Sequence, residues 1–342
     1  MIISKVDKRW WLNLTGKVEQ TATIINLYNS GISPEVIALE LDIHQDTVIQ
    51  VITNEEEIKK QKKIQNSIDN TFLNKLYLDA VIDVESVIKD SQIRIWKSLK
   101  ANPEFNISVN EMQKILEKFM ESKVKLVILH IDLVGSTKMS LNLPIDKLTT
   151  IIRAFAQEMT IIVSMYGGYV LKYIGDAVLA FFVVDSDNAK NHRDKDSNSG
   201  EYNNNFDSLQ YSNVISCAYT MIKVVQEGLN PILNQYDYPD LKVRIGVDVG
   251  EIAVVKYGLD IDEFENKVLK RPHLDLIGYT ISIVVKMTSR AQPDHMVIGE
   301  EFFENLDNNR KDVFNQLPNN PEIWNYTTEA TGKIYGIYEN IK

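Results

Sequence analysis

The sequence has very little cysteine, and this limits both its covalent chemistry and its compartment. Of 342 residues, one is cysteine, Cys217, so no disulfide can form within the chain. Folding without disulfides is typical of a reducing compartment, and we expect a cytoplasmic protein. The start of the chain, MIISKVDKRWW, lacks the long apolar segment of a secretory signal, which agrees with that expectation.

Long hydrophobic runs are also missing. A helix needs roughly 18–20 consecutive apolar residues to cross a bilayer, and the apolar stretch at 177–184 is far shorter. No membrane partner is therefore expected. Hydrophobic residues make up 44% of the chain and charged residues 25%, which is the balance of a globular protein with room for two or three domains.

Basic residues are outnumbered by acidic ones, 37 to 47, and are missing from one long stretch of the N-terminal region. The formal net charge is −10, which disfavours bulk affinity for nucleic acid or anionic lipid. Residues 1–54 resemble a helix-turn-helix domain, with Ser33 and Pro34 at a helix start. No Lys or Arg occurs between Lys17 and Lys59, so the helix that would read DNA has no cation for phosphate. DNA is therefore disfavoured as a partner, and a protein-interaction or dimerisation module is favoured.

Two further segments are polar. Residues 55–122 are rich in lysine and glutamate with helical periodicity, and we predict a helical connector that could also serve as a dimerisation stalk. Residues 185–212 are rich in Asn, Asp and Ser and predict a flexible surface insertion within a third region, 123–342.

From residue 123 onward, apolar strands alternate with amphipathic helices. VKLVILHID has the continuous apolar character of a buried strand and ends at Asp132. The stretch YVLKYIGDAVLAFF predicts a hairpin whose two-residue turn is Gly175–Asp176. A strand end and a hairpin tip of one sheet can bring Asp132 and Asp176 together. Two carboxylates at one place repel unless a cation lies between them, so the pair predicts a divalent metal site.

The loop LVGST follows Asp132 directly. Its small residues permit backbone N–H groups to approach a polyphosphate, although no lysine follows the glycine as it would in a P-loop. The candidates for this contact are Gly135, Ser136 and Thr137.

Four blocks resemble, in order and spacing, the signature motifs of class III adenylyl/guanylyl cyclase catalytic domains: LHIDLVGST, YGGYVLKYIGDAVLAFF, VRIGVDVGEIAV and LDLIGYTISIVVKMTSRA. The resemblance covers roughly residues 124–300. It implies an α+β fold in which a palm-like antiparallel sheet has a ferredoxin-like βαββαβ core, preceded here by an all-α N-terminal region. It also implies a homodimer with active sites at the interface.

The resemblance further implies the metal site. Asp132 and Asp176 would hold two ions, Mg²⁺ or Mn²⁺, with the backbone carbonyl of Leu133 as a further ligand. The reaction would be cyclisation of ATP to 3′,5′-cyclic AMP and pyrophosphate. Alternatives are a cyclase for GTP or a pyrimidine nucleotide, and a cyclase-like nucleotide sensor of low activity that regulates through the N-terminal helices.

Lys172 and Asp275 align with the pair that selects the base in this family. A lysine donates to N1 of adenine and an aspartate accepts from its N6 amine, whereas the guanylyl branch typically has Glu and Cys. This pair favours ATP. At the catalytic positions, where the family usually has Asn and Arg, the chain has Ser282 and Lys286. Lysine lacks the planar fork of arginine, so slow turnover or another nucleotide is implied. A distal phosphate contact aligns loosely with Lys333.

Overall fold

The chain divides into two compact units at Thr71 and Phe72. The computed structural model describes residues 20–100, 110–184, 204–264, 267–318, 320–328 and 332–341. The predicted connector, residues 55–122, is divided between the two units. Its residues from Phe72 onward belong to the second unit.

The first unit is helical, as the sequence predicted. Residues 20–29 form helix α1, and α2 (Pro34–Glu40) begins after Ser33, with proline in its first turn. The long helix α3 (Gln45–Leu76) follows and runs beyond the unit. A small apolar core joins these helices through Ile24, Ile37, Ala38, Val48 and Ile52. The resemblance to a helix-turn-helix domain remains a prediction.

The second unit is built on one sheet, and the predicted α+β architecture is confirmed. Eight described strands occur in the order β2-β3-β1-β4-β6-β8-β7, with β5 paired to β4 outside that path. Every strand pair is antiparallel except β4 with β6. The strands are β1 (Lys123–Leu133), β2 (Tyr169–Ile174), β3 (Ala177–Val183), β4 (Val243–Phe264), β5 (Lys267–Ile277), β6 (His295–Gly299), β7 (Phe314–Gln316) and β8 (Ile337–Asn340).

Helices lie on both faces of this sheet. The first four strands and the helices between them form the βαββαβ core, since their spatial order is β2-β3-β1-β4. The remaining described helices are α4 (Val84–Lys100), α5 (Asn110–Glu117), α6 (Ser136–Asn142), α7 (Ile145–Met165), α8 (Asn204–Lys223), the π-helical turn Val224–Leu229, α9 (Asn230–Asn234), α10 (Tyr279–Thr288), α11 (Glu300–Glu304) and α12 (Asn308–Lys311).

The main core lies on one face of the sheet. Successive side chains of a strand point to opposite faces, so Val127, Leu129 and Ile131 of β1 enter this core together. Helix α7 is the one described helix that is long and apolar enough to cross a membrane. Its apolar residues, such as Phe155 and Ile162, are instead buried in the core, which accounts for its composition.

Helix α4 is part of this core and does not form a free connector. Arg94 of α4 donates through Nε and Nη2 to both carboxylate oxygens of Glu158 on α7, over 2.8 and 2.7 Å. Glu158 is 2% exposed, and this bidentate geometry is what a buried carboxylate requires. Val87, Ile88 and Ile95 of α4 are buried beside it. The periodicity of the segment predicted the helix but not the partner that it packs against.

Two other segments differ from the sequence prediction. Helix α8 begins at Asn204, so residues 204–212 are helical, whereas residues 185–203 of the predicted insertion lie outside the described part. Strand β4 is a single strand, Val243–Phe264, whereas the stretches LKVRIGVDVG and EIAVVKY predict two separate strands. Beyond Ala253 it pairs with β5 and no longer with β1, which leaves a two-stranded arm. Leu259 and Ile261, two residues apart on this arm, are 50% and 60% exposed.

The second face of the sheet carries helix α10. Two glycines of β4, Gly246 and Gly250, lie directly beneath it. A Cβ atom at Gly246 would stand 2.7 Å from the backbone oxygen of Val284 and would also clash with Thr288. A Cβ atom at Gly250 would clash with Thr280. The absence of a side chain at both positions therefore allows the helix to approach the strand closely.

A buried carboxylate joins β4 to the C-terminal part of the chain. Asp248 is 1% exposed and accepts hydrogen bonds from Tyr335 Oη over 2.8 Å and from the Val249 amide over 2.9 Å. Burial raises the pKa of Asp248 to about 7, although these hydrogen bonds oppose the rise. Asp248 is therefore largely protonated in the folded chain at mildly acidic pH.

Replacing Asp248 by asparagine is expected to change how stability depends on pH. The pKa of Asp248 in the folded chain, about 7, exceeds its usual value of 3.8. The contribution of Asp248 to the free energy of unfolding is therefore fully present below about pH 4 and is lost as the pH rises through 7. The unfolding free energy of the wild type, relative to Asp248→Asn, should fall over this interval by at most about 1.4 kcal/mol per pH unit. Urea unfolding of both proteins between pH 4 and 8 measures this difference, and a constant difference would contradict the assignment.

Candidate active site

Asp132 lies near the end of β1, directly across from Arg244 of β4. Both side chains are about three-quarters buried, and Arg244 Nη2 donates to Asp132 Oδ2 over 3.3 Å. The other carboxylate oxygen, Asp132 Oδ1, is buried and accepts no hydrogen bond from any described residue. An unsatisfied buried carboxylate oxygen is costly, so this atom is available to a ligand.

Asp176 occupies the tip of the β2–β3 hairpin, as predicted. Gly175 precedes it with φ +64°, a left-handed conformation that favours glycine. Burial raises the pKa of Asp132, the Arg244 guanidinium opposes that rise, and the Asp176 carboxylate adds to it. Asp176 thus makes the smallest of these contributions at Asp132. The shared metal site remains a prediction.

These residues fit Mg²⁺ or Mn²⁺ better than a metal that needs a complete protein cage. In the part of the chain that the structure describes, His, Cys, Asp and Glu side chains form no group of three or more that could hold a metal ion. Mg²⁺ typically takes one or two carboxylates and completes its coordination with water and substrate phosphates. The free oxygen of Asp132 would supply one such carboxylate ligand, and Asp176 is the predicted second one.

The loop after Asp132 is held in place by the neighbouring strand. Leu133 is buried at the end of β1, and the amide of Val134 donates to the carbonyl of Lys242 over 2.8 Å. Gly135 has φ +74° and precedes α6, whose first residues are Ser136 and Thr137. The predicted phosphate contacts thus lie together on one turn, adjacent to Asp132.

Lys172 and Asp275 form an ion pair in the structure. Lys172 Nζ stands 2.6 Å from Asp275 Oδ2, although the residues are 103 positions apart in sequence. The second oxygen, Asp275 Oδ1, accepts from the amide of Leu276 over 2.8 Å, which fixes the orientation of the carboxylate. A register shift in β2 between Val170 and Lys172 accompanies this arrangement. The structure therefore brings the predicted base-selecting pair together within one chain.

Ser282 and Lys286 lie on the exposed face of α10. The opposite face, with Ile283 and Met287, is buried. The two predicted catalytic side chains thus point away from the sheet that carries Asp132.

Sequence reasoning missed two residues beside the metal candidates. Arg244 was not singled out, although a charged residue that interrupts the apolar strand VRIGV was a usable signal. His130 of β1, two residues before Asp132, is buried and bonded to Thr288 of α10 over 2.9 Å. Thr288 Oγ1 donates to the Val284 carbonyl, so it accepts from His130 Nδ1. Burial lowers the pKa of His130 to about 4, and the imidazole is neutral.

The fold agrees with the comparison to known families. A family model for the adenylate and guanylate cyclase catalytic domain matches residues 119–317. This match covers more than half of the chain, and the chain belongs to that family. It is therefore a class III nucleotidyl cyclase domain preceded by a helical N-terminal region.

Two relatives are named cytidylate cyclases. The protein from Staphylococcus aureus is 28% identical over 241 residues, which is 68% of this chain and 47% of the relative. The protein from Escherichia coli is 24% identical over 182 residues, 53% of this chain and 35% of the relative. The chain thus spans less than half the length of these relatives. Among solved structures, the adenylyl cyclase CyaB from P. aeruginosa matches with a TM-score of 0.45 and 19% sequence identity. The match covers 65% of this chain and 95% of the CyaB chain.

Proposed function

We propose that this chain cyclises a nucleoside triphosphate whose base carries an exocyclic amine, either CTP or ATP, to the 3′,5′-cyclic monophosphate and pyrophosphate. The ion pair between Lys172 and Asp275 is the observation that carries this proposal. An ammonium group only donates hydrogen bonds and a carboxylate only accepts them. The pair therefore suits an edge with a ring acceptor next to an amine donor.

Adenine and cytosine present the same pattern to such a pair. Adenine has N1 as acceptor and N6 as donor, and cytosine has N3 as acceptor and N4 as donor. Guanine and uracil present a ring N–H beside a carbonyl oxygen, which is the reverse. The pair thus separates amine-bearing bases from the other two without separating adenine from cytosine. The names of the two relatives support CTP, and the family resemblance of the pair supports ATP.

The chain's own residues take distinct parts in this reaction. Asp132, Asp176 and the Leu133 carbonyl would hold two divalent cations, which supply activation of the 3′-hydroxyl and neutralisation of the triphosphate charge. Lys172 and Asp275 hold the base so that the 3′-oxygen faces the α-phosphorus. Ser282 would contact the ribose, and Lys286 would stabilise charge on the phosphoryl group as pyrophosphate leaves.

A homodimer is part of the proposal. Ser282 and Lys286 face away from their own sheet, so they would complete the site of a second copy. The arm formed by β4 and β5 carries exposed apolar residues, including Leu259 and Ile261. A two-stranded ribbon alone in water is marginally stable, which supports a partner chain that covers it. The active site would then combine Asp132 and Asp176 of one chain with Lys172 and Asp275 of the other.

A panel of substrates tests the proposed function. The purified chain is incubated with ATP, CTP, GTP or UTP in the presence of Mg²⁺ or Mn²⁺, and the products are identified by mass spectrometry. Cyclic product from CTP, from ATP or from both, in clear excess over GTP and UTP, is expected. A preference for GTP or UTP would overturn the assignment of the pair, and no cyclic product from any triphosphate would favour the sensor alternative.

A further inference from the structure

Helix α5 binds the strand that carries Asp275. The side chain of Gln113 donates through Nε2 to the Leu274 carbonyl over 3.0 Å, and its Oε1 accepts from the Leu274 amide over 3.1 Å. A side-chain amide offers a donor and an acceptor, as a peptide does, so Gln113 pairs with β5 as a neighbouring strand would. The Leu274 carbonyl belongs to the peptide unit directly before Asp275. Gln113 therefore fixes the backbone from which the Asp275 side chain extends.

A second contact of α5 leads to β2. Glu111 Oε1 stands 3.1 Å from Lys75 Nζ, near the end of α3. Lys75 Nζ in turn donates to the Gly168 carbonyl over 3.4 Å and lies 4.3 Å above the ring centre of Tyr169, the first residue of β2. The start of β2, three residues before Lys172, is therefore tied to α5 through the end of α3.

Direct strand pairing does not set the distance between Lys172 and Asp275. In the described sheet β2 pairs with β3 and β5 pairs with β4, so the path from one strand to the other runs over β3, β1 and β4. Glu111 and Gln113 are two positions apart and point about 200° apart around the helix axis, toward different neighbours. Three apolar residues of α5 are buried beside them: Met112, Ile115 and Leu116. Helix α5 thus links the two strands by a route that bypasses the sheet.

We propose that Gln113 is a positioning residue that determines base specificity, because α5 holds Asp275 at the distance from Lys172 that an amine-bearing base requires. The inference rests on the proposed function for the role of this pair. Lys172 Nζ and Asp275 Oδ2 stand 2.6 Å apart, and the base must bond to both groups at once. The donor and acceptor atoms of a base edge have a fixed separation, so displacement of either side chain weakens one of the two hydrogen bonds.

A simpler role for Gln113 would be to satisfy the open edge of β5 and so to stabilise the fold. Loss of stability lowers the folded fraction of the protein, which weakens apparent binding of every nucleotide equally. Loss of positioning weakens binding of adenine and cytosine nucleotides more than that of guanine and uracil nucleotides. The ratio between these two groups of nucleotides therefore separates the two roles.

The test measures binding of the 3′-deoxy analogues of ATP, CTP, GTP and UTP with Mg²⁺ by calorimetry. These analogues lack the 3′-hydroxyl and cannot cyclise, so binding is observed without turnover. Gln113→Met keeps the length of the side chain and removes its amide, and the preference for the ATP and CTP analogues should fall about 5- to 10-fold. Glu111→Gln removes the charged partner of Lys75 at a side chain that is 44% exposed, and the preference should fall about 2-fold.

The matched control is Gln92→Met on α4. Gln92 Nε2 donates to the Glu227 carbonyl over 2.8 Å, so this variant also removes a bond between a glutamine side chain and the backbone of a distant element. It should leave the preference unchanged. Thermal unfolding of each variant shows whether the fold is retained.

An unchanged preference in Gln113→Met, equal weakening of all four analogues, or the same loss in Gln92→Met would overturn the inference. If Gln113→Met does not fold, Glu111→Gln decides alone, and an unchanged preference there would overturn it. A wild type without preference for the ATP and CTP analogues would overturn the proposed base selection and the inference with it. A substrate panel without cyclic product leaves this binding test intact, so the two proposals can fail separately.

Discussion

Replacing Asp132 or Asp176 by asparagine is expected to reduce formation of cyclic nucleotide by about 10³-fold. An amide retains the shape of the carboxylate but loses the negative charge that holds a divalent cation. Asp132 Oδ1 has no hydrogen-bond partner among the described residues, so its replacement removes a ligand atom more than a structural contact. Product formation with saturating CTP and ATP, measured across a Mg²⁺ and Mn²⁺ titration, checks this expectation.

The control is Asp146→Asn, which removes a carboxylate from the first turn of α7. Asp146 is exposed, so this variant should retain the wild-type rate. Thermal unfolding must also be compared, because Asp132→Asn removes the partner of Arg244. If both Asp132→Asn and Asp176→Asn kept more than about one tenth of the wild-type rate, the metal assignment would be wrong.

Exchanging Lys172 for glutamate and Asp275 for cysteine should change the choice of base. The new pair no longer offers a donor beside an acceptor to adenine or cytosine, so kcat/KM for ATP and CTP relative to GTP and UTP should fall by about 10²-fold or more. Competition assays with all four triphosphates measure the ratio directly. An unchanged ratio would remove the pair from base selection.

Charge alone must be separated from recognition in this experiment. Lys123→Glu makes the same charge reversal at a side chain that is 73% exposed at the start of β1, and it should leave the substrate ratio unchanged.

Mixing two inactive variants tests the proposed dimer. Asp132→Asn chains combined with Lys172→Glu chains should regain about one quarter of the wild-type rate, since half of random pairs contain one intact site out of two. No recovery on mixing would contradict a shared site.

Much of the site could be predicted from the sequence because its residues interrupt apolar strands. Asp132 ends a buried run and Asp176 occupies a two-residue turn, so local patterns alone placed both. The pairing of Lys172 with Asp275 came from the family resemblance and is present in the structure, 103 residues apart. No local pattern could have supplied that contact, because it depends on how the edge strand and the arm approach each other.

The contacts that the sequence could not predict are those between distant elements. The alignment of β1 with β4 decides that Arg244 faces Asp132, and a one-residue shift would have placed it on the other face. The periodicity of residues 55–122 indicated helix, yet it could not identify Glu158 as the partner of Arg94. The sequence also could not distinguish adenine from cytosine as the preferred base, because both bases present the same hydrogen-bonding edge to Lys172 and Asp275.

The two glycines beneath α10 have a consequence for how this site can vary. Since α10 approaches β4 through its own backbone at Gly246 and through the Thr280 side chain at Gly250, its height above the sheet depends on these two close contacts. Substitutions elsewhere in the core can therefore accumulate without moving Ser282 or Lys286. A single methyl group added at either glycine would meet the helix and lift it from the sheet.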